Sequence, residues 1–206
     1  MNKYEYSNNN KKFEGFVKGY TSQLIDCFSM EMNHKIFYLA QSLGRVWNSG
    51  NNVFLCGNGG SAGNAIHIAN DFIYGIGNFG KGSKIPGIRV SALSANPAVL
   101  TCLGNDIGFE NIFSYQLKVQ AKKNDLLIAL SGSGNSPNIV SALNTANQIG
   151  LKTFAILAFT GGKCKKIAKY PLHFNINDMQ IAEDLQLIIG HLCMQWLSNN
   201  KSEFFG

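Results

Sequence analysis

The sequence has no apolar run long enough to cross a bilayer; its longest, such as Leu126–Leu130 and Phe154–Phe159, suit buried strands instead. The start of the chain, Met1 to Lys12, is polar and Asn-rich and lacks the apolar stretch of a signal peptide. These absences predict a soluble, cytoplasmic protein with no membrane partner. Cysteine is sparse: Cys27, Cys56, Cys102, Cys164 and Cys193 are scattered, with no Cys-x-x-Cys pair. That argues against a disulfide scaffold and a thiolate zinc site, and it suits free thiols in a reducing compartment. No Gly-Lys-Ser/Thr follows either glycine-rich stretch, and neither has the Gly-x-Gly-x-x-Gly order of a dinucleotide fold with an acidic partner in place. A nucleotide cofactor is therefore disfavoured. The formal charge of +6 is spread along the chain, and only Lys163, Lys165, Lys166 and Lys169 cluster, at the spacing of one solvated helix face. No nucleic-acid partner is expected. A weak positive field attracting anionic metabolites accounts for the charge as well.

What is present is an ordinary globular composition, 45% hydrophobic over 206 residues, enough for one domain. The expected organisation is a polar tail over 1–12, a single domain over 13–200 and a C-terminal tail over 201–206. Apolar residues recur at helical spacing from Phe13 to Met30 and from Asn33 to Asn48, ending at Gly50. Short apolar runs then alternate with helical segments. The strands fall at Asn52–Cys56, Gly87–Leu93, Asp125–Leu130, Lys152–Leu157 and an edge strand near Pro171–Phe174. The helices fall at Ser61–Tyr74, Pro97–Leu103, Phe109–Val119, Ser136–Ile149, Gly162–Lys169 and Gln180–Leu197. This alternation predicts an α/β fold with a parallel sheet covered on both faces, and ligands beyond the carboxyl ends of its strands.

Two strand ends carry chemistry. Cys56-Gly57-Asn58-Gly59-Gly60-Ser61 follows the first strand, and Ser131-Gly132-Ser133-Gly134-Asn135-Ser136 follows the third. Glycines let backbone N–H groups approach a ligand, helix N-termini supply free donors, and serine hydroxyls add donors without charge. One such turn alone reads as a strand-to-helix turn with a Ser cap. Two at equivalent strand ends point to a phosphate ester, with Asn58, Gly59, Ser61, Ser131, Ser133 and Ser136 as its contacts.

Acid–base groups fall in two helices. His67 and Asp71, four residues apart, share a helical face. Glu183 and His191 stand eight apart in the last helix, about 80° around its axis, so both reach one pocket. Two histidines and two carboxylates suit a Zn²⁺ site of N and O ligands.

Gly57-Asn58-Gly59-Gly60-Ser61, the Ser131–Ser136 turn, and Gly104-Asn105-Asp106 with Gly108-Phe109 between them resemble the sugar isomerase (SIS) domain family, and within it the phosphoheptose isomerases. The likeness runs from about Phe13 to Leu197. It implies a flavodoxin-like five-stranded parallel sheet, N-terminal helices at a subunit interface, and a homotetramer. It also implies interconversion of D-sedoheptulose 7-phosphate and D-glycero-D-manno-heptose 7-phosphate, toward heptose for surface polysaccharide. One Zn²⁺ per subunit, held by His67, Asp71, Glu183 and His191, and acid–base roles for Asp71 and His191 follow from the same likeness. Asp71 and Glu183 also count among the implied sugar contacts. Ser94, Asn96 and Asp106 lie in the stretch that lines the family's sugar pocket, and Gln180 is a weaker candidate. The chain departs from the family in three places. Its typical first-helix Glu is Asp71 here, its zinc-binding Gln is Glu183, and the intermediate His of the last helix is Gln186. Alternative functions are isomerisation of another sugar phosphate, or non-catalytic phosphosugar binding of the kind found in a relative that binds the bacterial replication initiator. That relative lacks the catalytic set, and this chain carries no helix-turn-helix domain.

Overall fold

The computed structural model describes residues 8–77 and 85–205. Two helices, α1 (Asn8–Asp26) and α2 (Met30–Ser49), lead into an alternation of strands and helices. Its strands are β1 (Asn52–Cys56), β2 (Arg89–Ala92), β3 (Leu126–Ser131), β4 (Lys152–Leu157) and β5 (Tyr170–His173). Between them run α3 (Gly60–Asn70), α4 (Pro97–Ile107), α5 (Ile112–Gln120), α6 (Pro137–Ile149) and α7 (Cys164–Ile167), and α8 (Met179–Asn199) and α9 (Ser202–Phe205) close the chain.

All five strands pair in parallel, in the order β2-β1-β3-β4-β5. This is the flavodoxin-like doubly wound order, whose switch point lies between β1 and β3. Every residue of β3 is buried, as a central parallel strand covered on both faces requires. Alternate strand residues feed two cores. Val53, Leu55, Leu126, Ile128, Leu130, Phe154 and Ile156 pack with α2, α3 and α8. Phe54, Cys56, Leu127, Ala129, Ala155 and Leu157 pack with α5 and α6 on the other face. Each fully buried Leu or Phe contributes about 1.5–3 kcal/mol over leaving it in water.

Four expectations need correction. The polar stretch before Phe13 is helical from Asn8, with Lys11 and Lys12 exposed, and residues 1–7 of the expected tail lie outside the described residues. The segment after Lys201 is a short helix rather than a tail: Phe204 packs against Gly44 and Trp196, and Phe205 meets Trp47 at 4.8 Å between ring centroids. The helix expected over Gly162–Lys169 is one turn, with Lys169 leaving it to start the edge strand. The helix expected to run to Tyr74 changes pitch at Asp71. Asp71–Gly75 is a π turn, in which Ile76 N–H bonds the Asp71 carbonyl at 3.0 Å. The Phe72 carbonyl, freed from the α pattern, accepts from Ile88 N–H at 2.8 Å and anchors the entry to β2.

Candidate functional site

The two Gly/Ser-rich turns lie side by side at the carboxyl ends of β1 and β3. Gly59, at φ +55°, makes the break from β1 into α3 that a side chain would strain. Asn58 and Asn138 exchange amide hydrogen bonds of 2.9 and 2.8 Å, tying the first turn to the start of α6. In the second turn Gly134 N–H donates to Ser131 Oγ at 3.1 Å, and Gly134, at φ +66°, accepts from Cys164 N–H at 2.9 Å. Together the turns enclose a pocket of about 280 Å³ lined by Asn58, Gly59, Gly60, Ser61, Ser131, Gly132, Ser133, Ser136, Met179 and Glu183. No side-chain hydrogen bond from Ser136 caps α6; Pro137 has no N–H, and Ile139 N–H donates to Asn138 Oδ1 at 3.0 Å.

Beside it stands a compact titratable cluster. His67 Nε2 lies 2.9 Å from His191 Nε2, and Asp71 Oδ2 lies 3.5 Å from the first and 3.3 Å from the second. The sequence brings these groups together because His67 and Asp71 sit one turn apart at the end of α3, and α8 packs along that helix. The close approach is possible because Gly190, which precedes His191, has no Cβ to meet Ile68. The Asp71 carboxylate is the more enclosed, 19% exposed against 51% for the His67 side chain and 41% for that of His191.

Three donor atoms 2.9–3.5 Å apart match the edges of a tetrahedron around zinc, which are about 3.3 Å for ligands at about 2.0–2.1 Å. Two imidazole nitrogens and one carboxylate oxygen also form a donor set that zinc accepts. The residues present therefore fit the ion.

Glu183 does not join this cluster. Among the described residues, the potential metal ligands gathered within 4.8 Å of one another are His67, Asp71 and His191. The Glu183 carboxylate instead lies over Gly60 and lines the turn pocket, occupying the room a Cβ at residue 60 would need. The expectation of four ligands is corrected to three by this placement, one that helical phase in α8 alone does not reveal.

The remaining candidates divide. Ser94 Oγ donates to the Ala62 carbonyl at 3.4 Å, close to the first turn of α3. Asn96 caps α4, accepting from Val99 N–H at 3.2 Å. Asp106 accepts from Asn105 and from the Cys102 thiol on an exposed stretch, and Gln180 is exposed at the start of α8; none of these four lines the pocket. Two residues given no site role from sequence turn out to hold the site. Buried Gln186 donates to Ser61 Oγ at 3.0 Å and accepts from Asn64 Nδ2 at 3.0 Å, and Asn138 carries the bridge described above. The signal for Gln186 was its alignment with the intermediate histidine of the family's last helix, one helical turn after Glu183.

A family model described as "SIS domain" matches residues 18–158. The chain belongs to the SIS domain family. Its curated relatives include the phosphoheptose isomerase of Clostridium acetobutylicum, 38% identical over 163 residues that span 79% of each chain. That of Aliarcobacter butzleri is 36% identical over 154 residues, 75% of this chain and 79% of the relative. Among solved structures, a phosphoheptose isomerase from Francisella tularensis superposes with a TM-score of 0.85 at 22% identity, covering 94% of this chain and all (100%) of that one. The phosphoheptose isomerase of Neisseria gonorrhoeae gives 0.78 at 23% identity, over 91% and 99%. These structures share the fold, and the curated relatives group this SIS domain with isomerases.

Proposed function

We propose that this protein interconverts an aldose and a ketose phosphate, with D-sedoheptulose 7-phosphate and D-glycero-D-manno-heptose 7-phosphate as the pair. The observation that carries the reading is that one helix, α3, opens at the Ser/Gly/Asn pocket and closes at the His67–Asp71–His191 cluster. From Ser61 to His67 the helix rises about 9 Å, the scale of a sugar phosphate lying extended from phosphate to reacting carbons. Curated relatives at 36–38% identity are named for this reaction, which favours the seven-carbon substrate.

The phosphate is assigned to the backbone amides of the two turns and the hydroxyls of Ser61, Ser131, Ser133 and Ser136, with Asn58 and Gly59 at the edge. Donors fixed by Gln186 and Gly134 need no reordering when the anion arrives. Glu183 is assigned to the sugar, from the position where it lines the pocket. The chemistry moves a proton between C1 and C2 through an enediol, with a second proton passing between the two oxygens. Asp71 and His191 carry this work. His67, Asp71 and His191 would hold a Zn²⁺ ion, which when bound polarises the sugar carbonyl and supplies several kcal/mol of charge stabilisation. An imidazole that gives its Nε2 lone pair to a metal cannot take a proton there. Asp71 has a second carboxylate oxygen that can take the carbon-bound proton and return it.

Assembly supports the same reading. Exposed Ile66, Ile73, Tyr74 and Leu192 lie close in sequence to His67, Asp71 and His191, and Phe13, Phe16 and Ile25 are exposed on α1. Apolar surface of this extent calls for other copies of the chain, and a homotetramer is the arrangement we infer. No helix among the described residues is long and apolar enough to cross a membrane, in keeping with a cytoplasmic step toward surface-polysaccharide heptose. A second reading, isomerisation of a different ketose phosphate, is favoured by Glu183, which adds a negative charge to a pocket otherwise lined by neutral donors. Incubation with sedoheptulose 7-phosphate and with five- and six-carbon ketose phosphates, followed by NMR, separates the two. Aldoheptose phosphate formed fastest supports the first reading. Turnover of a shorter sugar alone supports the second, and no turnover of any, with or without added zinc, overturns both.

A further inference from the structure

The largest cavity among the described pockets, about 550 Å³, is not the one beside the catalytic cluster. It lies between α2 and the edge strand, at the amino-terminal ends of β4 and β5. Glu31, His34, Lys35 and Tyr38 line it from α2, and Phe154, Lys169, Tyr170, Pro171 and Leu172 line it from the sheet. Ligands of the reaction belong at the carboxyl ends of the strands, and no residue that lines that pocket lines this cavity.

Its floor is aromatic. Tyr38 and Tyr170 approach to 4.9 Å between ring centroids, and Tyr170 stacks on Phe154 at 5.0 Å and 29°. Its rim is cationic. Lys35 and Lys169 belong to the lining, and Lys152, just outside it, places its ammonium 5.5 Å from the Tyr38 ring centroid. Glu31 is the one carboxylate of the lining, and Lys35 already pairs with it at 2.7 Å. Lys169 spends one of its three protons on the Leu151 carbonyl at 2.9 Å, leaving two. The surroundings hold the Tyr38 hydroxyl below its ordinary pKa, through its hydrogen bond with Tyr170 and then through Lys152 and Arg45. The Lys152 and Arg45 charges stand beside that hydroxyl, while the same hydrogen bond raises the pKa of Tyr170. The size lies within the range of small-ligand sites, about 300–1,000 Å³.

We propose that this cavity is a second ligand site, and that it takes an anion carrying a planar ring, of the nucleoside phosphate class. The ring lies against Tyr38 and Tyr170, and the phosphates meet Lys152, Lys169 and Lys35. Recognition needs no phosphate loop, because ring faces and ammonium groups supply it. The site lies outside the reaction pocket and does not depend on the sugar assigned above.

Calorimetric titration of the assembled protein with ATP, without magnesium, tests it. Saturable binding of one ATP per chain is expected, with adenosine and inorganic tripolyphosphate each at least about tenfold weaker, since each keeps only one of the two contacts. Lys152→Ala combined with Lys169→Ala should weaken ATP about tenfold, and Tyr38→Leu should do so with every lysine in place. All of these variants should keep the parent kcat and KM for the sugar phosphate. Ser133→Ala with Ser136→Ala should leave ATP binding unchanged. No saturable binding in the parent, tripolyphosphate binding as tightly as ATP, or loss confined to the serine variant would overturn the site.

Discussion

Replacing Gly134 by Ala tests whether the second turn is the rigid phosphate cradle that its geometry describes. Gly134 sits at φ +66°, where an L side chain costs about 1–2 kcal/mol. A Cβ there would also run into the Gly161 carbonyl oxygen, a backbone atom with nowhere to rotate. Relief requires the turn to part from the loop after β4, breaking the Cys164 N–H bond to the Gly134 carbonyl and the Lys163 N–H bond to Asn135 Oδ1. Each contributes about 1 kcal/mol, so the total loss is roughly 3–4 kcal/mol. For a chain of this length that lowers Tm by roughly 6–16 °C, read by calorimetry or circular dichroism. Because Gly134 N–H also fixes the Ser131 hydroxyl, KM for the sugar phosphate should rise about tenfold or more. A variant melting within about 1 °C of the parent with unchanged KM would refute the cradle.

Other outcomes follow from particular side chains. Glu183→Gln removes a carboxylate from the pocket that receives the phosphate while keeping a side chain that can hydrogen-bond the sugar, so KM should fall roughly three- to tenfold at low salt and the gain should shrink as salt is added; a raised KM would contradict the reading that its charge opposes the phosphate. Tyr20 donates to Asp184 at 2.5 Å, and this hydrogen bond, ahead of burial, pushes its pKa up to about 12. The folded state therefore holds that proton more tightly than the unfolded chain does. The contribution is complete below about pH 10 and is lost as pH rises toward about 12, so Tyr20→Phe should flatten the alkaline decline in stability. Cys102 is exposed, yet its hydrogen bond to Asp106, ahead of the carboxylate's charge, raises its thiol pKa. Asp106→Asn should speed its reaction with a disulfide reagent near neutral pH, and an unchanged rate would count against the contact.

The sheet is legible in the sequence because buried parallel strands are written as short, nearly continuous apolar runs, and Leu126–Leu130 is the clearest. The two turns are legible for a related reason: glycine and serine at a strand end leave few other readings once they occur twice. The strand order came from the family likeness, since apolar patterning does not say which strand neighbours which. What escaped was set by contacts distant in sequence. Phe204 and Phe205 look like a ragged end until Gly44 and Trp47 provide a surface for them. The π turn at Asp71 depends on Ile88 claiming the Phe72 carbonyl, which no local pattern records. Glu183 and His191 share a helix, but α3 meets that helix so that one residue faces the turns and the other the His67–Asp71 pair. Helical phase alone allowed both to share a ligand set.

The central claim is proton transfer between neighbouring carbons of a sugar phosphate by Asp71 in the cluster it forms with His67 and His191. It is tested most directly by running the conversion of sedoheptulose 7-phosphate in D₂O and reading the aldose product by ¹H NMR. The account predicts deuterium at C2 of the aldoheptose phosphate, and loss of both turnover and exchange in Asp71→Asn and in His191→Ala, with Tm little changed. Parent-like turnover in both variants would contradict it.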